Sequence, residues 1–156
     1  PVFPAEIQVC EDAHDRPYVL GAHGRTLPAL EVSLAGRAEA GVALVVPRPP
    51  GRAGGPGPGI HIEEIAGQNA AAQEAAALRA VKEAVAKAEG VDSRGHGSDV
   101  TVLDAADPER LLVEAATAAG RPPHRYRVRS ARTANPPGLP RRDYVVAWTT
   151  GPADDE

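Results

Sequence analysis

Glu74 lies four residues before Leu78, seven before Val81 and eleven before Val85. On a helix that spacing puts its carboxylate on the same stripe as three apolar side chains. A carboxylate facing a sheet instead of water carries a large desolvation cost unless something compensates it. Three readings follow: a helix end that is still wet, an ion pair with an arginine, or a metal-ligating or catalytic acid. Asp104 poses a similar question. It follows Val100 to Leu103 at the end of a strand, the edge where ligands of open α/β sheets gather. Asp107, directly before Pro108, takes the role of helix cap, which leaves Asp104 with either an Asx-turn or a ligand. A helix glutamate and a strand-end aspartate meeting across a sheet edge would form a hard oxygen site suited to Mg²⁺ or Mn²⁺.

The second chemical feature is basic. Residues 121–142 hold Arg121, Arg125, Arg127, Arg129, Arg132, Arg141 and Arg142, seven of the fifteen arginines, and no acid. On a strand, Arg125, Arg127 and Arg129 project from one face at period two. Such a row either guards a sheet edge or binds phosphates, for which the guanidinium fork is well shaped. The chain as a whole is acidic, with net charge -4, so this local reversal of sign points to a nucleic-acid backbone and to salt-dependent binding.

The elements that must position these groups can be read from periodicity. Residues 6–10 and 17–20 read as short strands. In 29–35, Leu30, Val32 and Leu34 alternate with Glu31, Ser33 and Ala35, a half-buried strand. Val42 to Val46 shows no alternation and reads as a strand covered on both faces. Residues 47–59, rich in Pro and Gly, form a breaker loop, and 60–65 a further strand. An alanine-dominated helix spans about 68–88 and stops at Gly90. A loop at 91–98 leads to a strand at 99–103, and Asp107-Pro108 opens a second helix ending at Gly120. Strands at 124–130 and 144–150 flank a Pro-rich turn. A strand–helix–strand order implies parallel pairing, and the leading strands imply antiparallel pairs. The expected fold is α/β, a mixed β-sheet flanked by helices, with an N-terminal strand extension over 1–28 and an acidic tail over 152–156.

Composition narrows the functional classes. At 156 residues, 42% hydrophobic and 24% charged, the chain suits one globular domain. No apolar run spans a bilayer and no secretory pattern opens the chain, so a cytoplasmic, membrane-free protein is expected. Cys10 is the only cysteine, which excludes an internal disulfide and any multi-cysteine zinc site. His61-Ile62-Glu63 lacks the Pro-Cys-x-x-Cys that a zinc deaminase requires. Aromatic residues make up 3%, too few for a platform of several stacking rings.

With these features assembled, residues 30–143 resemble the ribonuclease H-like family. Ile60 to Val81 (IHIEEIAGQNAAAQEAAALRAV) looks like its third strand, loop and first helix, with Glu74 on the helix glutamate. DVTVLDAADPERLLVEA looks like the next strand and helix, with Asp104 on the strand-end aspartate. RYRVRSARTANPPGLPRRD is similar to the last segment and makes Asp143 the candidate fourth carboxylate. The resemblance implies Mg²⁺ or Mn²⁺ held by Glu74, Asp104 and Asp143, and hydrolysis of RNA in RNA–DNA hybrids. Arg125, Arg127, Arg129, Arg132, Arg141 and Arg142 would bind the hybrid or a structured RNA. Two positions depart from the pattern: Ala35-Gly36 replaces the first-strand Asp-Gly, and Ala131 stands at the loop histidine. Glu31, Ser33 and Glu39 lie near enough to substitute for the missing carboxylate. A two-metal reaction needs carboxylates on both ions, so the alternative is a degenerate module that binds without cutting. The N-terminal strands would then suit a protein partner. Residues 99–151 also resemble archaeal-type peptidyl-tRNA hydrolases through Arg132-Thr133, Pro136-Pro137-Gly138 and Gly151-Pro152, which implies an esterase acting on tRNA.

Overall fold

The computed structural model describes residues 7–12, 16–25, 27, 30–48, 55–90, 99–107, 109–117 and 122–153. The breaker loop at 49–54, the loop at 91–98, Arg121 and the last tail residues lie outside them. Strands β1 (Gln8–Glu11) and β2 (Pro17–Leu20) form one antiparallel hairpin, and β3 (Leu30–Arg37) and β4 (Ala40–Pro47) form another. Strand β5 (Gly59–Glu64) precedes helix α1 (Ala70–Glu89). Four strands follow: β6 (Val100–Asp104), β7 (Arg110–Ala115), β8 (His124–Ala134) and β9 (Asp143–Thr149).

Helix α1 forms where the alanine run predicts it. The Asn69 side chain caps it by accepting from the Ala72 N–H at 2.8 Å. Gly90 ends it in the left-handed conformation, φ 70°, and its N–H bonds back to the last carbonyls. Along the helix the buried residues are Ala76, Ala80, Val81, Ala84, Val85, Ala86 and Ala88.

The main sheet has the order β5-β9-β8-β7-β6, and every adjacent pair is antiparallel. The βαβ signal is half fulfilled: β5 and β6 do run in the same direction, but they sit at opposite edges with three strands between them. The architecture is therefore α/β with an antiparallel sheet, not the mixed sheet expected. Nor does a second helix follow Asp107. The Asp107 side chain accepts from the Glu109 N–H and its carbonyl from the Arg110 N–H, both at 2.9 Å, which closes a turn into β7. Asp before Pro suits the first two positions of a β-turn as well as it suits a helix start. From Arg110 to Ala115 the side chains then alternate, with Leu111, Val113 and Ala115 against the helix.

The two faces of the sheet differ in what covers them. On the first face, α1 packs on Val113, Ala115, Tyr126, Val128, Val145 and Ala147. Gly59 lets the helix come close, since a β-carbon there would lie 1.9 Å from the Ala84 carbonyl oxygen. On the second face, the β3–β4 hairpin covers only the β5 side. Ser33 Oγ accepts from the Ile60 N–H at 3.1 Å, and Lys87 Nζ donates to the Leu34 carbonyl at 2.7 Å. Ile60, Ile62 and Tyr144 are buried beneath it. The hairpin departs from the sequence pattern in two ways. Ser33, expected on the wet face of β3, is buried because it satisfies β5. Val45, expected inside a strand covered on both faces, is 55% exposed because one face of β4 is covered and the other is not, as its alternating burial shows. Among the described residues no helix is long and apolar enough to cross a membrane.

Candidate functional site

The site is built on β8. Its even-numbered residues Tyr126 and Val128 point into the helix-side core, so strand alternation sends Arg125, Arg127 and Arg129 to the second face. All three are exposed, as the period-two pattern predicts. Register brings further groups alongside. Arg110 of β7 is paired with Arg129, and on the other side Arg129 is paired with Trp148 of β9. One row across the sheet thus reads Arg110, Arg129, Trp148. Parallel to it run Leu112 with Arg127 and Glu114 with Arg125. Arg125 Nε meets Glu114 Oε2 at 3.3 Å. Arg110 and Arg129 have no side-chain partner among the described residues. Two like charges placed directly across neighbouring strands destabilise the pair. An anion lying over them would remove that repulsion.

Sequence reasoning passed over two members of this row. Arg110 was expected on a helix, although the alternation of Leu111, Val113 and Ala115 with polar neighbours was available as a signal. Trp148 was expected on the last strand without a role, and its facing direction becomes known only from the register with Arg129.

The structure does not gather the three carboxylates. Glu74 is exposed, as is Leu78 one turn on, because the buried line of α1 runs through Ala76, Ala80 and Ala84, while Gln73 lines the cleft beside the helix start. Asp104 is exposed and accepts from the Ala106 N–H at 2.9 Å, a local Asx-turn. It is level with Leu112 and hence with Arg127, whereas Asp143 is level with Ala134, seven residues further along β8. That offset is about 23 Å along the strand, with three strand spacings besides, so Asp104 and Asp143 cannot ligate a common ion. Among the described residues no three His, Cys, Asp or Glu side chains are grouped to hold a metal. The possible substitutes for the absent first carboxylate have other partners: Glu31 pairs with Arg48 at 3.2 Å, Ser33 is buried on β5, and Glu39 belongs to the hairpin tip.

Of the remaining arginines, Arg132 lines a cleft of about 530 Å³ at the start of α1, together with Gln68, Gln73, Thr133 and Asp143. Arg141 is exposed. Arg142, expected to contact nucleic acid, is instead a structural latch. Its guanidinium meets Glu64 Oε1 at 2.8 Å and Glu39 Oε1 at 3.3 Å. Asn135 also donates to Glu39, and the Tyr144 hydroxyl does so at 3.3 Å. The Asn135 hydrogen bond and the nearby Arg142 charge hold the Glu39 carboxyl below its ordinary value. Glu64 and Glu39 keep Arg142 protonated, while burial and then Glu39 push the Tyr144 phenol up. This network fastens the hairpin tip to the sheet. On the first face, burial and the nearby Lys87 charge push His61 below its ordinary value, and burial does the same to Lys87.

No family model, curated protein or solved structure matches this chain.

Proposed function

We propose that this chain is a nucleic-acid-binding domain that grips phosphates with the exposed arginines on the second face of its five-stranded sheet. Arg110, Arg125, Arg127 and Arg129 are the contact residues. The observation that carries this reading is the pair Arg110 and Arg129, directly opposed and without an acidic partner among the described residues, on exposed positions of a net acidic chain. Natural sheets interleave signs to avoid that repulsion, so its presence argues for an anionic occupant. Binding without cleavage is the form proposed, because the acids that a two-metal reaction would need are spread along the molecule.

The test is fluorescence anisotropy with labelled RNA–DNA hybrid, duplex and single-stranded oligonucleotides from 50 to 300 mM KCl. Four phosphate contacts give a slope of log affinity against log salt of about -3 to -4. The double variant Arg110→Ala/Arg129→Ala reduces that slope by about 2. Arg79→Ala, an arginine of α1 paired with Glu63 on the other side of the sheet, leaves it unchanged. No binding at 50 mM KCl, or an unaltered slope in the double variant, overturns the proposal.

A further inference from the structure

Resting on the phosphate-binding reading, we infer that the ligand is a single nucleic-acid strand laid along β8, with one base stacked on Trp148. Arg125, Arg127 and Arg129 alternate along one strand, so the backbone positions that carry them are about 6.7 Å apart. That step is close to the spacing of successive phosphates along an extended nucleic-acid strand. A backbone following β8 therefore meets an arginine at each nucleotide for three nucleotides.

Trp148 supplies the second half of the argument. It is one strand spacing from Arg129 on the same face, and partly exposed. A phosphate over Arg129 would leave its nucleotide's base extending sideways, either over Trp148 or toward Arg110. Trp148 offers a flat apolar ring and Arg110 a second charge, so the base belongs on the tryptophan and the phosphate between the arginines. In a double helix the bases stack on one another and turn inward, out of reach of a ring set level with a sheet. The β3–β4 hairpin adds a wall beyond Trp148, over Ile60, Ile62 and Tyr144. One ring is enough for one base, so the scarcity of aromatic residues does not conflict with this mode.

Trp148 is the only tryptophan in the chain, so its fluorescence reports the site directly. The experiment titrates the whole chain with a nine-nucleotide single-stranded RNA, with the same RNA annealed to its complement, and with inorganic polyphosphate. Tryptophan emission and anisotropy are followed together. The expected result is at least tenfold tighter binding of the single strand than of the duplex, with quenching by the single strand alone. Trp148→Leu weakens single-strand binding about 5- to 100-fold, and Trp148→Phe restores most of it. The quenching arm needs no variant, so a Trp148→Leu chain that fails to fold leaves the test intact. Equal or tighter duplex binding, or polyphosphate quenching as strongly as RNA, overturns the single-strand inference while the salt slope of the arginine variants still supports phosphate binding. If no oligonucleotide binds, both readings fall.

Discussion

Gly59→Ala tests the packing on which the whole arrangement depends. Gly59 is on the helix side of β5, where a β-carbon would stand 1.9 Å from the Ala84 carbonyl oxygen and 2.9 Å from both the Ala84 carbonyl carbon and the Ala88 nitrogen. Contacts below 3.0 Å are essentially never seen, so α1 must withdraw from β5 by at least 1.1 Å, the difference between 3.0 and 1.9 Å. The obstruction is backbone inside a regular helix, so no side-chain rotation relieves it. A gap of 0.5–1 Å already forfeits roughly a quarter to a half of each dispersion contact along the interface. The residues facing that gap, Ala80, Val81, Ala84, Val85 and Ala88, are all at most 2% exposed. Overpacking typically costs about 1–3 kcal/mol, and a backbone clash belongs at or above the top of that range. With a urea slope of about 1–3 kcal/mol/M, the denaturation midpoint falls by about 1 M or more. The assay is urea unfolding followed by far-ultraviolet circular dichroism and by Trp148 emission. Gly57→Ala is the control, since its β-carbon meets only the Glu31 carboxylate at 3.7 Å, an ordinary contact. A Gly59→Ala midpoint equal to that of the Gly57→Ala chain refutes the seating of α1 on β5, and with it the assignment of the two faces.

Two further predictions concern pH. Glu39 has a lowered pKa, so its contribution to stability is present above the ordinary carboxylate value of 4.5 and is lost as pH falls through the lowered folded value; urea midpoints across this acid range should decline for the native chain and less steeply for Glu39→Gln, and identical curves would remove the hairpin latch. His61 is also lowered, but it is a base, so below its ordinary value of 6.5 the unfolded chain takes up the proton first and stability declines until the pH passes the folded value. Its ring is faced by Glu63, Glu83 and Lys87, and His61→Asn should flatten the slope just below pH 6.5, measured by thermal melting in a pH series.

Local signals decided which parts of this molecule were legible. The alanine run, Asn69 and Gly90 together specify α1 without tertiary help, and its observed ends differ from the expected ones by a residue or two. Strand existence was equally readable wherever alternation was clean, and Arg125, Arg127 and Arg129 sit where their spacing puts them. Glu74 was harder. Its helical phase does match Val81 and Val85, but those lie at one margin of a buried face centred on alanines, so Leu78 and Glu74 on the same margin stay exposed. Asp104 and Asp143 depended on the strand order, which no local pattern encodes. Parallel and antiparallel arrangements of the same strands bring different ends together. The single βαβ signal did not reveal that three strands would separate its two members.

The most consequential misreading was Asp107-Pro108, and the reason it matters is geometric. Had the following segment been a helix, β8 would have been closer to a sheet edge, and a helix would have been available to cover its arginines. Because the segment turns into β7 instead, His124 to Arg129 of β8 gain β7 as a neighbour, Arg129 to Ala134 have β9, and Arg129 is the residue paired on both sides. A residue paired on both sides cannot escape its register, so Arg129 is held between Arg110 and Trp148. Edge-guarding charge, the bland explanation for an arginine row, applies to strands with unpaired backbone, and it does not apply to Arg129, which is paired with Arg110 on one side and Trp148 on the other. What remains is a line of exposed arginines, of which Arg125 is paired with Glu114. The opposite face is closed by a helix that Gly59 and a row of alanines allow to sit close, so the core is completed without help from the arginine side. That division of labour is what frees the second face to carry charge, and it makes ligand binding there separable from folding: removing Arg110 or Arg129 should weaken binding while the urea midpoint stays in place or rises, because the opposed like charges are relieved.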